Sequence, residues 1–284
     1  MDDEPARLFS TAAVQRAVSI FSMFQRLRLV LALALLALAG CASVPPVPEG
    51  WTAVAPGLVH RSWSPWPGAE VQALRADLDR LRISLSPVAD AGLPLDQMPS
   101  GRGALASVNA SFFDKAFHPR GLTVSGGTPW PELLKPARPA SDPVLACERR
   151  CVIRFDAPAA PDPAWQLAVS GTPWLVRDGQ PRSAADDAGC ASLCAQAHPR
   201  TAVGLDTSGR HLIVLLAAGR RGEVAGLTLA QTAALMRELG AAQAFNLDGG
   251  GSSTLLIAGE SRLPRPFNEP ALRRVANALH LLTP

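Results

Sequence analysis

Asp248 stands directly before Gly249, Gly250 and Gly251, and three hydroxyl side chains follow, Ser252, Ser253 and Thr254. Consecutive glycines can turn successive backbone N–H groups to one concave side, which binds anions. Short hydroxyls at the same end add donors. The arrangement suits a phosphate or a developing oxyanion, with Asp248 as an acid/base group or a contact to a metal. It is not a nucleotide phosphate loop, because the lysine is missing and the residues that follow read as a strand. Nor is it a nucleophile elbow, because neither Ser252 nor Ser253 is set in a G-x-S-x-G frame. A structural turn in which Asp248 caps the glycine amides accounts for the same spacing.

Other stretches bear on the choice. In chain order these are NASFFDKAFHPRG (109–121), SGTPWLVRDG (170–179), RTAVGLD (200–206), GLTL (226–229), FNLDGGGSST (245–254) and NAL (277–279). Together they resemble the phosphodiester glycosidase family, over roughly residues 100–284. NLDGGGSS with RTAVG upstream is the specific part of the match. The chain departs from the family pattern at Ala110 and Ser111, where glycines are usual, and at Thr172, where S-G-G-P has its second glycine. It departs again at Ala271-Leu272-Arg273, in place of G-E-R.

The resemblance implies cleavage of a sugar-1-phosphodiester at the anomeric carbon. The transition state is oxocarbenium-like and a phosphate monoester leaves readily, so holding the phosphate charge matters more than general-acid help. Arg200 is the expected phosphate ligand, because a guanidinium binds two oxygens at once. The amides of Gly249, Gly250 and Gly251, with Ser252 and Ser253, would complete the anion site. Asp248 would activate water or face the developing cation, with Asp114 as its partner and His118 as a substitute. Asn109 and Asn246 would orient sugar hydroxyls, or else satisfy buried backbone groups. Thr201 and Ser170 join the substrate-binding set by their place in the motifs. Phe112 and Phe113 offer a wall for the ring, one of them at least packing in the core. Asp248, Asn246 and Asp114 are oxygen ligands of the kind calcium or magnesium takes, although no cofactor is required. The second reading is a non-catalytic envelope lipoprotein that binds carbohydrate or phosphate in exopolysaccharide assembly.

These residues need a scaffold. The chain has 284 residues, 48% hydrophobic and 18% charged, which is enough for a sizeable core. A net charge of +3 with scattered basic residues excludes a nucleic-acid surface. Residues 1–41 read as an extension and a lipoprotein signal. Arg26 and Arg28 precede a short apolar run, and Leu38-Ala39-Gly40-Cys41 matches a lipidation site at Cys41. Met23 makes a better start than Met1, since such a leading segment is short. Residues 42–50 are then a proline-rich tether, and the protein is expected at the bacterial cell envelope, lipid-anchored and facing the periplasm.

In that compartment Cys147, Cys151, Cys190 and Cys194 are expected to form two disulfides, local pairing being simplest among three connectivities, with a zinc site as the other option. From residue 51 on, one domain is read. Residues 144–156 suggest a hairpin. TAVGLD and HLIVLLAA form another through Thr207-Ser208-Gly209. LTLAQTAALMRELG is the one clear helix, opened near Thr228 and ended at Gly240, with Leu229, Ala233, Met236 and Leu239 on one face. AFNL, SSTLLI and RVANALHLL read as strands. Many short strands with few helices give an α+β fold with a mostly antiparallel, in part mixed, sheet and a single compact domain.

Overall fold

The apolar strings of the last third are continuous rather than alternating because the sheet they build is covered on both faces. In the structure, a computed structural model that describes residues 47–134, 142–187 and 190–284, Arg200–Leu205 is buried at every position. It pairs antiparallel with His211–Ala217, from Arg200 opposite Ala217 to Leu205 opposite Leu212. The hairpin closes where Asp206 accepts from Ser208 Oγ at 2.9 Å and from His211 Nδ1 at 2.8 Å, and Gly209 takes φ +69°.

These two strands lie in an eight-stranded sheet. Its spatial order is Thr52–Ala55, Leu58–Trp63, Val71–Asp77, His211–Ala217, Arg200–Leu205, Gln243–Asn246, Trp174–Arg177 and Gln180–Pro181. One face carries Ala202, Ile213, Leu215 and Ala244 and packs on the helix Leu229–Glu238 through Leu229, Ala233 and Met236. The other face carries Leu74, Val203, Leu205, Val214 and Phe245 and packs on the two remaining sheets. Those sheets have five strands each. One pairs Ala106–Asn109 with Leu255–Ile257 and Ala278–Leu282, and the other pairs Val144–Cys147 with Leu167–Ser170 and Cys151–Arg154. Every pairing among the named strands of the described residues is antiparallel, so the mixed sheet allowed by the sequence is not formed there. Val47–Pro284 form one compact unit.

The helix begins as its sequence indicates. Thr228 Oγ1 accepts from the Gln231 amide at 3.2 Å and Gln231 Oε1 accepts from the Thr228 amide at 2.9 Å, which closes a capping box. Gly240, at φ +96°, ends the segment. Leu229, Ala233 and Met236 are fully buried, with Leu239 packed at the margin.

Both cysteine pairs are local disulfides, Cys147–Cys151 at the hairpin tip and Cys190–Cys194 in a single wide helical turn, Ala191–Ala195. No zinc site is therefore made of them. Met1, Met23, Cys41 and most of the 42–50 tether lie outside the described residues. Among the described residues no helix is long and apolar enough to cross a membrane.

Candidate active site

Asp248 sits where two sheets meet. Gln243–Asn246 belongs to the large sheet, and Leu247 still donates its amide to Thr201 at 2.8 Å. One residue later the Asp248 amide goes to Ala110, just beyond the small-sheet strand Ala106–Asn109, at 3.0 Å. The chain has changed sheets, and Leu255–Ile257 then pairs with that small-sheet strand. The glycine run is the crossing.

Asn109 fastens the crossing. Its Nδ2 donates to the Asp248 carbonyl at 2.6 Å, and its Oδ1 accepts from the Thr254 amide at 3.1 Å and from Thr201 Oγ1 at 2.9 Å. Thr201 Oγ1 also lies 3.2 Å from Ser253 Oγ. Asn109 and Thr201 are fully buried, and Ser253 nearly so. Asn109, Thr201 and Ser253, expected from the sequence in the substrate-binding set, are internal braces here, and for Asn109 this is the alternative anticipated for a buried asparagine.

Each glycine has its own reason. A Cβ on Gly249 would stand 2.7 Å from the Pro199 carbonyl oxygen. Gly250 adopts φ +60° and has the Arg220 guanidinium against it. A Cβ on Gly251 would collide with Glu269 and Arg273. Of the three glycine amides read from the sequence as an anion nest, that of Gly250 is taken by a protein carbonyl and that of Gly249 acts on the Asp248 carboxyl itself. The amides of Gly250, Ser252 and Ser253 are bonded to the carbonyls of Pro199, Gly249 and Gly250. The glycines let neighbouring groups approach.

What approaches defines a recess of about 210 Å³ lined by Phe112, Pro199, Asn246, Asp248, Arg220 and Arg273 among others. Burial pushes the Asp248 carboxyl up to about 6, against the opposing pull of the Ser252 hydroxyl, Arg273 and the Gly249 amide. The residue keeps a half-buried face toward the recess while protein surrounds the rest of its carboxyl. Ser252 is buried and does not line the recess, its hydroxyl acting on the Asp248 carboxyl. Asn246 Oδ1, at the recess, is buried without a hydrogen-bond partner, and Asn246 holds its place by donating Nδ2 to the Thr172 carbonyl at 2.9 Å. A buried acceptor left open at a recess awaits a ligand.

The cations differ from those expected. Arg200 reaches the recess wall, but its guanidinium faces the other side of the sheet. Nε donates to the Leu227 carbonyl at 2.9 Å, and Nη2 to those of Leu193 and Gln196 at 2.7 and 2.9 Å. Burial lowers it to about 10, still a cation at neutral pH. It ties the turn after Cys190 to the sheet. Arg220 and Arg273 are instead the exposed guanidiniums at the recess. Arg220 Nη2 donates to His198 Nδ1 at 3.2 Å, which puts the proton of that imidazole on Nε2. Arg273 is paired with Glu269. Sequence reasoning missed Arg220, His198 and Glu269; lone residues in polar loops carry no periodic signal.

Asp114 does not line the recess. Its carboxylate accepts from the backbone amides of His118 and Ala116, both at 2.9 Å, and from His118 Nδ1 at 3.0 Å. Those bonds, the His118 amide foremost, hold it below the usual carboxylate range. It organises its own loop, with His118 bridging on to Glu132 at 2.7 Å. Neither the Asp248–Asp114 pair nor the oxygen set of Asp248, Asn246 and Asp114 proposed for calcium or magnesium is assembled, and the described residues contain no cluster of three His, Cys, Asp or Glu side chains suited to a metal. Ser170 is buried outside the recess and donates to the Leu122 carbonyl at 3.1 Å. Phe112 lines the recess, whereas Phe113 packs in the core and stacks on Phe117.

Similar folds occur among solved structures. The catalytic domain of zebrafish N-acetylglucosamine-1-phosphodiester alpha-N-acetylglucosaminidase, auto-inhibited by its pro-peptide, superposes with a TM-score of 0.63 at 18% identity, over 82% of this chain and 86% of that one. A hypothetical protein from Synechocystis gives 0.60 at 16% identity, over 84% and 64%. A putative exported protein from Burkholderia pseudomallei gives 0.54 at 18% identity, over 75% and 74%. A sequence search of curated proteins finds no match. The phosphodiester glycosidase profile matches residues 102–282, a stretch that holds Asp248, the glycine crossing and both recess arginines, and the chain belongs to the phosphodiester glycosidase family.

Proposed function

We propose that this protein hydrolyses a sugar-1-phosphodiester, with an envelope glycan or its precursor as substrate, and that Asp248 is the base. The observation that carries this reading is a carboxyl raised to about 6 facing two arginines across one recess. A site that only bound phosphate would gain nothing from a carboxylate beside it, since like charges repel. A general base works best with a pKa near the working pH. In the proposed reaction Arg220 and Arg273 hold the diester oxygens, and the phosphate monoester departs with its charge already matched. Asp248 takes a proton from the water that adds to the anomeric carbon. Asn246 Oδ1, at the recess and without a partner, is placed to meet a hydroxyl of the substrate.

The test is release of sugar from a sugar-1-phosphodiester, followed over pH. As a base, Asp248 must be ionised, so kcat should rise with pH through about 6. A fall across that interval would assign it the acid role instead. Arg220→Ala should raise KM by roughly 10–100-fold, the worth of one charge-assisted contact. An unchanged KM would remove Arg220 from the phosphate site. Glycan binding with no hydrolysis in the native protein would favour the non-catalytic reading.

A further inference from the structure

A second cleft, of about 490 Å³, opens where residues 95–105 cross the small sheet, and Ser107 is part of its lining. Behind Ser107 runs a chain of buried and half-buried polar groups that joins the 90–107 segment to His280 near the end of the sequence. Asp90 Oδ2 accepts from the Ser100 amide at 3.1 Å and also from the Ser100 hydroxyl. That hydroxyl has one proton and gives it to the carboxylate, so toward His280 it can only accept. His280 Nε2, 3.0 Å away, therefore carries the imidazole proton. Nδ1 is left as an acceptor, and Ser107 Oγ lies 2.8 Å from it. Each bond points the same way, from Ser107 through His280 and Ser100 to Asp90. This is the order of nucleophile, base and orienting acid, with one hydroxyl interposed before the acid.

The setting favours the same assignment. His280 is fully buried and Asp90 and Ser107 nearly so, while Ser100 is half-buried. Burial lowers the imidazole to about 4, which keeps it neutral with Nδ1 open to accept a proton while making it a weaker base than an exposed histidine. The Gly103 amide has no partner among the described residues and lines the same cleft, where a Cβ on Gly103 would meet nothing within 4 Å. It is a donor available to an oxyanion. Val54, Leu95, Met98, Leu105 and Leu256 supply an apolar lining.

We propose that Ser107 is a nucleophile at a second site, separate from the Asp248 recess, which takes carboxylic esters with an apolar acyl group. Ser107 Oγ bonds to the acyl carbon as its proton passes to His280 Nδ1. The bond from that carbon to the alkoxy oxygen breaks, and the alkoxide leaves with the proton from His280. Water then adds to the acyl-serine, giving a proton to His280, and Ser107 recovers it as the acid departs. Ester and water become acid and alcohol, with no other reagent.

A fluorophosphonate probe on the intact protein tests this, with peptide mapping of the adduct and p-nitrophenyl butyrate as the turnover substrate. One label per chain is expected at Ser107. It should be absent in Ser107→Ala, and in Ser100→Ala it should form at least about tenfold more slowly, because the orienting link is cut while the nucleophile remains. Asp248→Asn should label like the native protein, which separates this site from the sugar-phosphate one. No adduct at Ser107 in the folded native protein overturns the proposal, whatever the variants do. So does an unchanged labelling rate in Ser100→Ala.

Discussion

Asp248→Asn is expected to lower hydrolysis of a sugar-1-phosphodiester by about 10²–10⁴-fold, the usual worth of a positioned acid or base, and at the same time to raise the melting temperature. The second effect follows from the same burial as the first. The carboxyl moves from 3.8 to about 6 on folding, so the folded protein holds its proton more tightly than the unfolded chain. Stability from this group is present in full below about 3.8 and is lost as pH rises through about 6. At pH 7.5 the folded protein carries an ionised carboxylate that burial disfavours, a destabilisation of about 1–3 kcal/mol that the neutral amide removes. The gain should therefore be larger at pH 7.5 than at pH 5. His280 acts in the opposite sense. Its folded value of about 4 lies below 6.5, so its contribution is lost as pH falls between those values. In the native protein the two slopes oppose each other; in Asp248→Asn the His280 slope is no longer offset by Asp248, and acid should unfold the variant more steeply. Thermal melts from pH 4 to 8 check all three statements. A variant that melts lower than the native protein at pH 7.5 would show that Asp248 is structural.

Much of this architecture could be read from the chain because its contacts are local. The hairpin through Thr207-Ser208-Gly209, the cap at Thr228 and both four-residue disulfides each join neighbours in sequence. What escaped was the direction in which side chains turn. Along Arg200–Leu205 alternate residues face opposite sides. Ala202 faces the helix, so Arg200 does too, and its guanidinium is taken up by Leu227 and the 190s turn. Val203 and Leu205 face the other sheets, so Thr201 meets Asn109 at the seam. The RTAVG motif marks both positions without saying which of them meets a ligand. Arg220 and Arg273 lie in irregular loops with no periodicity to expose them, and only the folding of those loops against Gly250 and Gly251 brings them to Asp248. Three glycines in a row were a signal of close approach, and the approaching groups are a carbonyl and two guanidiniums rather than a bound anion alone.

Asn109→Ala should then be the most damaging single substitution away from the recess itself. Sugar contact and brace make opposite predictions for it. A residue that touched only a sugar hydroxyl would raise KM and leave the fold alone. In the structure Asn109 serves three groups at once, the Asp248 carbonyl, the Thr254 amide and the Thr201 hydroxyl, and it is inaccessible to solvent. Alanine takes this partner from the Asp248 carbonyl and the Thr254 amide in the interior, while Thr201 Oγ1 keeps Ser253 Oγ at 3.2 Å. Buried unpaired groups each cost about 1–3 kcal/mol, and partial relaxation brings the expected loss to about 2–4 kcal/mol. The same bonds fix the turn on which Asp248 rides, so kcat should fall by roughly 10–100-fold through misplacement of the carboxylate, with KM little changed. Asn109→Asp sharpens the distinction. The shape is kept, but an oxygen now faces the Asp248 carbonyl oxygen where Nδ2 had donated, and the variant should unfold at least as readily as alanine. Thermal melts beside kcat and KM for both variants decide the matter, and a raised KM at unchanged stability would return Asn109 to the substrate.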